Sequence, residues 1–231
     1  MTSLDPIFWM ALLKIIGVNI VLSGDNAVVI ALAARSLQPK QQKQAIFWGS
    51  GAAIVMRIIL TVFAVALLQL PWLKLVGSVL LLWIGIKLLT DEEDADSGIE
   101  SKDSMLAAIK TILIADLVMS LDNVIAVAAA AKNDTLLVII GLAISIPLII
   151  YASTLLIKVM ERFPIVITIG AGLIGWVAGE MAWAEEVIKP FASQYPQWFE
   201  YLASGVGAVA VVGTGKLLAK RQESTPGTNQ A

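Results

Sequence analysis

Residues 19–35 read N-I-V-L-S-G-D-N-A-V-V-I-A-L-A-A-R, and residues 116–132 read D-L-V-M-S-L-D-N-V-I-A-V-A-A-A-A-K. Both stretches carry Ser-x-Asp-Asn inside an apolar run that ends on a basic residue. The first core is Ser23, Asp25 and Asn26; the second is Ser120, Asp122 and Asn123. A carboxylate at the centre of a membrane span costs of order 2.5–3.5 kcal/mol on insertion scales. The same costly group at the same place in two halves points to a paired polar site near the middle of a membrane protein.

Composition agrees with a membrane setting. The chain of 231 residues is 58% hydrophobic and 15% charged, with a mean hydropathy of +0.84; a soluble domain has about a quarter of its residues charged. The net charge of −2 offers no electrostatic footprint for nucleic acid. Cysteine and histidine are absent, which excludes disulfides, thiolate chemistry and imidazole metal sites. A metal held here is held mainly by oxygen, which suits Mg2+, Ca2+ or Mn2+ better than Zn2+ or Cu+. The first residues lack a basic n-region and a small-residue cleavage site, so no removable signal peptide is expected.

Seven stretches are apolar enough over about 20 residues to span a bilayer: 7–34, 45–69, 72–89, 105–131, 135–158, 164–184 and 200–218. Pro39 and the Gln/Lys cluster after it are expected to end the first, Pro71-Trp72 to turn the chain into the third, and Pro164 to occupy the first turn of the sixth. Trp9, Trp48, Trp72, Trp183 and Trp198 fall near the expected ends, where interfacial anchors belong. Loops 1–2, 3–4, 5–6 and the C-terminal tail carry Arg35, Lys40, Lys43, Lys87, Lys102, Lys158, Arg162, Lys216, Lys220 and Arg221, against Lys74, Lys132 and Lys189 on the other side. The positive-inside rule then puts the N-terminus outside and the C-terminus in the cytoplasm.

The halves also share Gly77 and Trp83 against Gly170 and Trp176, with the same spacing. Spans 1–3 are therefore read as repeated in spans 4–6. Three is odd, so the copies run in opposite senses, an inverted repeat of the kind found in secondary transporters. The fold expected is an all-α polytopic membrane protein with seven transmembrane helices: two inverted three-helix repeats (1–90 and 105–186), an acidic cytoplasmic linker (91–104), a loop with a seventh helix (187–219) and a cytoplasmic tail (220–231). The linker opens D-E-E-D-A-D and reads first as a solvated connection.

On a helix Asn19, Ser23 and Asn26 form one stripe, and Asp116, Ser120 and Asn123 repeat it, with Asp25 and Asp122 beside each. Asp, Asn and Ser compete for backbone hydrogen bonds and favour a local break, aided by Gly24 in the first copy. Carboxylate, amide and freed carbonyl oxygens together suit a hard cation. The competing reading is a structural ion pair, because Arg57 lies within the second span; in a cation site Arg57 serves as the charge partner that keeps the empty site neutral. Glu180 follows Trp176 by four residues, as Lys87 follows Trp83, and is a candidate gate or proton-path residue, whereas Lys87 reads as a helix-end anchor. Lys14 and Lys110 read as snorkelling groups. Ala171, Gly175 and Gly179, four apart, read as a packing stripe.

With the two Asp-Asn phrases placed, the chain resembles the TerC family of membrane proteins over about residues 10–219. L-S-G-D-N-A at 22–27 and S-L-D-N at 120–123 carry the resemblance. Members are linked to manganese export and tellurium resistance and sit in the LysE transporter superfamily. The resemblance implies that Asp25, Asn26, Asp122 and Asn123 are metal ligands in a two-repeat core. Related sequences often have Glu where this chain has Asn19, which leaves Asp116 as the charged member of that pair.

The function expected is export of a divalent cation, Mn2+ first, across the cytoplasmic (inner) membrane by alternating access, with proton exchange as one driving force. Expelling a cation against a negative interior costs about 2.3 kcal/mol per charge per 100 mV. The expected partners are the lipid bilayer and the cation, with no nucleic acid, no organic cofactor and a homo-oligomer left open. No enzymatic activity is expected. One rival is a membrane accessory protein that helps load exported proteins with metal. A more distant one is an intramembrane aspartyl protease, whose Tyr-Asp and Gly-x-Gly-Asp phrases do not occur here.

Overall fold

The computed structural model describes residues 9–10, 12–13, 16–17, 24–67, 70–90, 101–131 and 135–223. All regular structure among them is helical. The helices are α1 (Gly24–Ala34), α2 (Pro39–Leu67), α3 (Leu73–Thr90), α4 (Ser101–Ala131), α5 (Thr135–Arg162), α6 (Ile165–Trp183), the single-turn α7 (Lys189–Ala192) and α8 (Trp198–Glu223).

Four of them are long and apolar enough to cross a membrane: α2 over Pro39–Leu60, α3, α6, and α8 over Trp198–Arg221. At 1.5 Å per residue, the 31 residues of α4 and 28 of α5 are also longer than the roughly 30 Å hydrocarbon core requires. Residues 7–8, 11, 14–15 and 18–23 of the first expected span, and residues 91–100 of the linker, lie outside the described residues. The linker's last residues, from Ser101, are already helical in α4.

The junction after α1 differs from the sequence reading. Pro39 does not end a helix but opens α2, and the Gln/Lys cluster forms its first turns. Proline at the first helical position lacks only an N–H that would have no partner there, and Lys and Gln are good helix formers. The Arg35 Nη2 donates to the Leu88 carbonyl at 3.0 Å and ties the end of α1 to the last turns of α3.

The helices form two groups. α1, α2, α4 and α5 all pack on one another, and so do α3, α6 and α8. The groups meet chiefly where α3 lies on α4 and α6 lies on α1, with a smaller contact between the consecutive α5 and α6. α1 is enclosed nearly all round, with Asn26, Ala27 and the run Val29–Ala34 buried, as expected of a helix apolar on every face.

Glycine sets both crossings between the groups. A Cβ on Gly77 of α3 would lie 2.8 Å from Val118 Cγ1 of α4, and one on Gly170 of α6 would lie 2.9 Å from Val28 Cγ1 of α1. These are the two glycines that the sequence reading paired between the halves. Their companions Trp83 and Trp176 both point outward, 54% and 37% exposed. Within the second group, α6 and α8 approach backbone to backbone. A Cβ on Gly175 would lie 2.8 Å from the Gly207 carbonyl carbon, and one on Gly179 would lie 2.7 Å from the Ala203 carbonyl carbon. Small residues four apart permit this approach, so the Ala171–Gly175–Gly179 stripe packs.

Candidate functional site

The polar centre lies in the first group. Arg57 is on α2, in an apolar span, and is 2% exposed. Its Nε donates to the Ser120 hydroxyl of α4 at 2.9 Å, and its Nη2 donates to the Asp116 carboxylate one turn earlier on α4. The Ser120 Oγ donates in turn to Asp116 Oδ2 at 3.3 Å. Asp116 and Ser120 are four residues apart and so share one face of the helix; both are buried, at 6% and 0% exposure. The three side chains close a hydrogen-bonded triangle between the halves of the chain. A buried charge requires such pairing, since an unpaired one costs several kcal/mol.

Asp25 lies in the first described turn of α1 and is half-buried, on a helix that packs against both α2 and α4, which carry the triangle. Its Oδ1 accepts from the Asn26 N–H at 2.8 Å. Asn26 itself is 3% exposed, and neither its Oδ1 nor its Nδ2 has a hydrogen-bond partner among the described residues. An unsatisfied buried amide is costly and calls for an explanation, such as a water or an ion at that point.

The other sequence candidates are placed as follows. Asn19 and Ser23 lie outside the described residues. Asp122 and Asn123 belong to α4, but their side chains lie outside the described residues. Glu180 is on an exposed part of α6, not in the buried layer of Arg57, Asp116 and Ser120. Among the described residues no three acidic, imidazole or thiol groups converge as a metal cluster does.

One local expectation fails. The second Ser-x-Asp-Asn does not break its helix: α4 runs unbroken from Ser101 to Ala131. Ser120 spends its hydroxyl on the Asp116 side chain instead of competing for the backbone. In this copy, therefore, any ligand oxygens come from side chains and not from freed carbonyls. The halves also differ in charge. The repeat counterpart of Arg57 falls at Ile149, in the stretch I-I-Y-A-S-T at 149–154, which holds no charged residue.

Sequence reasoning missed Glu185. It follows α6, is 1% exposed, and accepts from the Trp72 N–H at 3.2 Å and the Leu75 N–H at 3.1 Å. It thus caps α3 from outside. The signal was available: α3 follows Pro71-Trp72, with no Ser, Thr, Asp or Asn to satisfy its first N–H groups.

Long apolar helices, a buried ion pair within them and tryptophans at their ends define a multi-pass integral membrane protein. The family model described as "Integral membrane protein TerC family" matches residues 4–223, and the chain belongs to that family. It is similar to the "Uncharacterized membrane protein YjbE" of Bacillus subtilis, with 45% identity over 188 residues, 81% of this chain and 86% of that one. The "Uncharacterized membrane protein YceF" of the same organism is 27% identical over 188 residues, covering 77% and 72% of the two chains. The "UPF0053 inner membrane protein YoaE" of Escherichia coli K12 is 26% identical over 228 residues, 90% of this chain and 43% of that one. No solved structure matches the chain.

Proposed function

We propose that this chain is a secondary transporter, not an enzyme, that exports a hard divalent cation, Mn2+ first, by alternating access of two inverted repeats. The observation that carries the reading is Asn26. Its buried amide has no partner among the described residues and is next in sequence to a half-buried carboxylate, on a helix that packs against the two carrying the buried Arg–Asp pair. Amide and carboxylate oxygens are the ligands a hard cation takes, and an ionisable group inside a span is a functional-site candidate by default. The ligand set is Asp25 and Asn26 with Asp122 and Asn123, and with Asn19, Ser23, Ser120 and Asp116 as neighbours. Arg57 holds Asp116 while the site is empty.

The packing pattern supports the repeat. Exchanging α1 with α4, α2 with α5 and α3 with α6 maps the α1–α5 contact onto α4–α2, and the α1–α6 contact onto α4–α3. The pairs α1–α4, α2–α5 and α3–α6, each in contact, map onto themselves. Rocking the four-helix group against the glycine-packed group at the Gly77 and Gly170 crossings would open the site to alternate sides. The count of seven spans, which rests on the apolar stretches, and the N-outside, C-cytoplasmic orientation, which rests on the basic residues, belong to this proposal.

The test is cation flux in proteoliposomes containing only this protein. Outward-directed Mn2+ movement, in preference to Zn2+ and dependent on an ion gradient or membrane potential, is expected. Binding without flux would favour the accessory role in metal loading.

A further inference from the structure

The connection between α6 and α8 carries features that a cation pathway does not use. Phe191, Tyr195 and Trp198 are 56%, 39% and 56% exposed. The rings run in a chain: Phe191–Tyr195 and Tyr195–Phe199 at 4.8 Å, Trp198–Phe199 at 4.2 Å, and Trp183 stacked on Phe199 at 6.3 Å. Trp183 is the last residue of α6 and Trp198 the first of α8, and both helices are long and apolar enough to span. The ring chain is therefore at the level where spans meet headgroups, the usual place for Trp and Tyr.

A pocket of about 620 Å³ opens there, bordered by Trp183, Lys189, Tyr195 and Glu200 among others. Its charged borders are of opposite sign. Glu200 lies in the first turn of α8, half-buried, and its carboxylate makes no hydrogen bond or ion pair among the described residues. Lys189 donates to Glu186, an exposed pair with both side chains 58% exposed. Exposed Leu202, Val206 and Val209 run along α8 on the face that begins at Trp198, away from Glu200.

We propose that the pocket seats the headgroup of a phospholipid bearing a primary ammonium. The ammonium lies between the Glu200 carboxylate and the faces of Trp183 and Tyr195, the phosphate on Lys189, and the acyl chains in the surrounding bilayer. The chemistry selects this occupant. An anionic headgroup would bring like charge to Glu200. A quaternary ammonium can stack on the rings but has no N–H to donate to the carboxylate. A zwitterion of phosphate and primary ammonium satisfies both charged borders at once. Glu186 then competes with the phosphate for Lys189, so removing its charge should strengthen binding. The proposal is independent of any transport reading.

The test is native mass spectrometry of the full-length protein, stripped of lipid and titrated with phosphatidylethanolamine, phosphatidylglycerol or phosphatidylcholine. Preferential retention of the ethanolamine lipid is expected. Glu200→Gln should lower that occupancy about two- to fivefold, the range of a partly exposed ion pair, and erase the preference, while Glu186→Gln should raise occupancy. Equal retention of ethanolamine and glycerol or choline lipids, a preference for either of those, or an unchanged preference in Glu200→Gln overturns the proposal. Unchanged or lowered occupancy in Glu186→Gln overturns the placement of the phosphate on Lys189. Soluble phosphoethanolamine competing as well as the lipid would make this a site for the free compound and overturn the lipid assignment.

Discussion

Arg57 of α2 and Asp116 of α4 form a buried ion pair that joins the two halves of the chain, with Ser120 bonded to both. The pair is a mutual necessity more than a net gain, because each charge offsets the desolvation of the other. Arg57→Gln or Asp116→Asn alone should destabilise the protein by about 3–5 kcal/mol, since either leaves a buried charge uncompensated. The double variant should recover much of that loss. Equilibrium unfolding in mixed micelles, read as a double-mutant cycle, checks it; additive losses would mean that the two charges do not depend on each other.

Glycines in α8 separate close approach from helix propensity. A Cβ on Gly207 would lie 3.1 Å from both the Gly175 carbonyl carbon and the Gly179 nitrogen, whereas one on Gly213 would meet nothing within 4 Å. Gly207→Ala should therefore cost about 1–3 kcal/mol, the usual range for overpacking. Gly213→Ala should be neutral or stabilising by up to about 1 kcal/mol through helix propensity. Thermal unfolding of the two variants side by side should place their midpoints on opposite sides of the parent or nearly so.

The long apolar runs and the Gly four-spacing were legible because they are local patterns. The expected starts and ends of α3, α5 and α6 fall within a few residues of the helices found, where Pro and Trp mark the turns. What was not legible is which polar groups meet across helices. Asp116 and Ser120 were visible as a stripe, and Arg57 as a lone buried base, but their pairing depends on α2 packing against α4. The unbroken course of α4 through Ser120, Asp122 and Asn123 was misread for a related reason. Local competition for the backbone loses when a side chain on the same helix face, Asp116, offers the hydroxyl a better partner. At Pro39 the same residue type was consistent with ending one helix or opening the next, and Lys and Gln decided for the latter.

Glu185 holds the start of α3 through two backbone N–H groups, one of them on Trp72, whose φ is 69°. A bulky residue in that left-handed region is strained by of order 1–3 kcal/mol and persists when its surroundings fix it. Glu185→Gln keeps one acceptor oxygen and should cost about 1.5 kcal/mol, the low end for one lost hydrogen bond to a charged group. Glu185→Ala should cost about 2 kcal/mol and speed hydrogen exchange at Trp72 and Leu75 first. Uniform exchange along α3 would contradict the capping role.

Charge at the Asp-Asn phrases is the remaining variable. Asp25→Asn and Asp122→Asn preserve size and most hydrogen bonding while removing one negative charge each, and a hard divalent cation depends on ligand charge. Each should lower flux in proteoliposomes by about tenfold or more, corresponding to a loss of at least 1.4 kcal/mol of binding. The fold should stay intact, because the Arg57–Asp116–Ser120 triangle contains neither residue. Asn26→Leu discriminates further. It replaces an unpartnered buried amide with an apolar group of similar size, so it should leave stability unchanged or raised yet weaken cation binding. Parent-like flux in both Asp→Asn variants, with binding unchanged in Asn26→Leu, would remove the metal site and leave the two phrases a structural role.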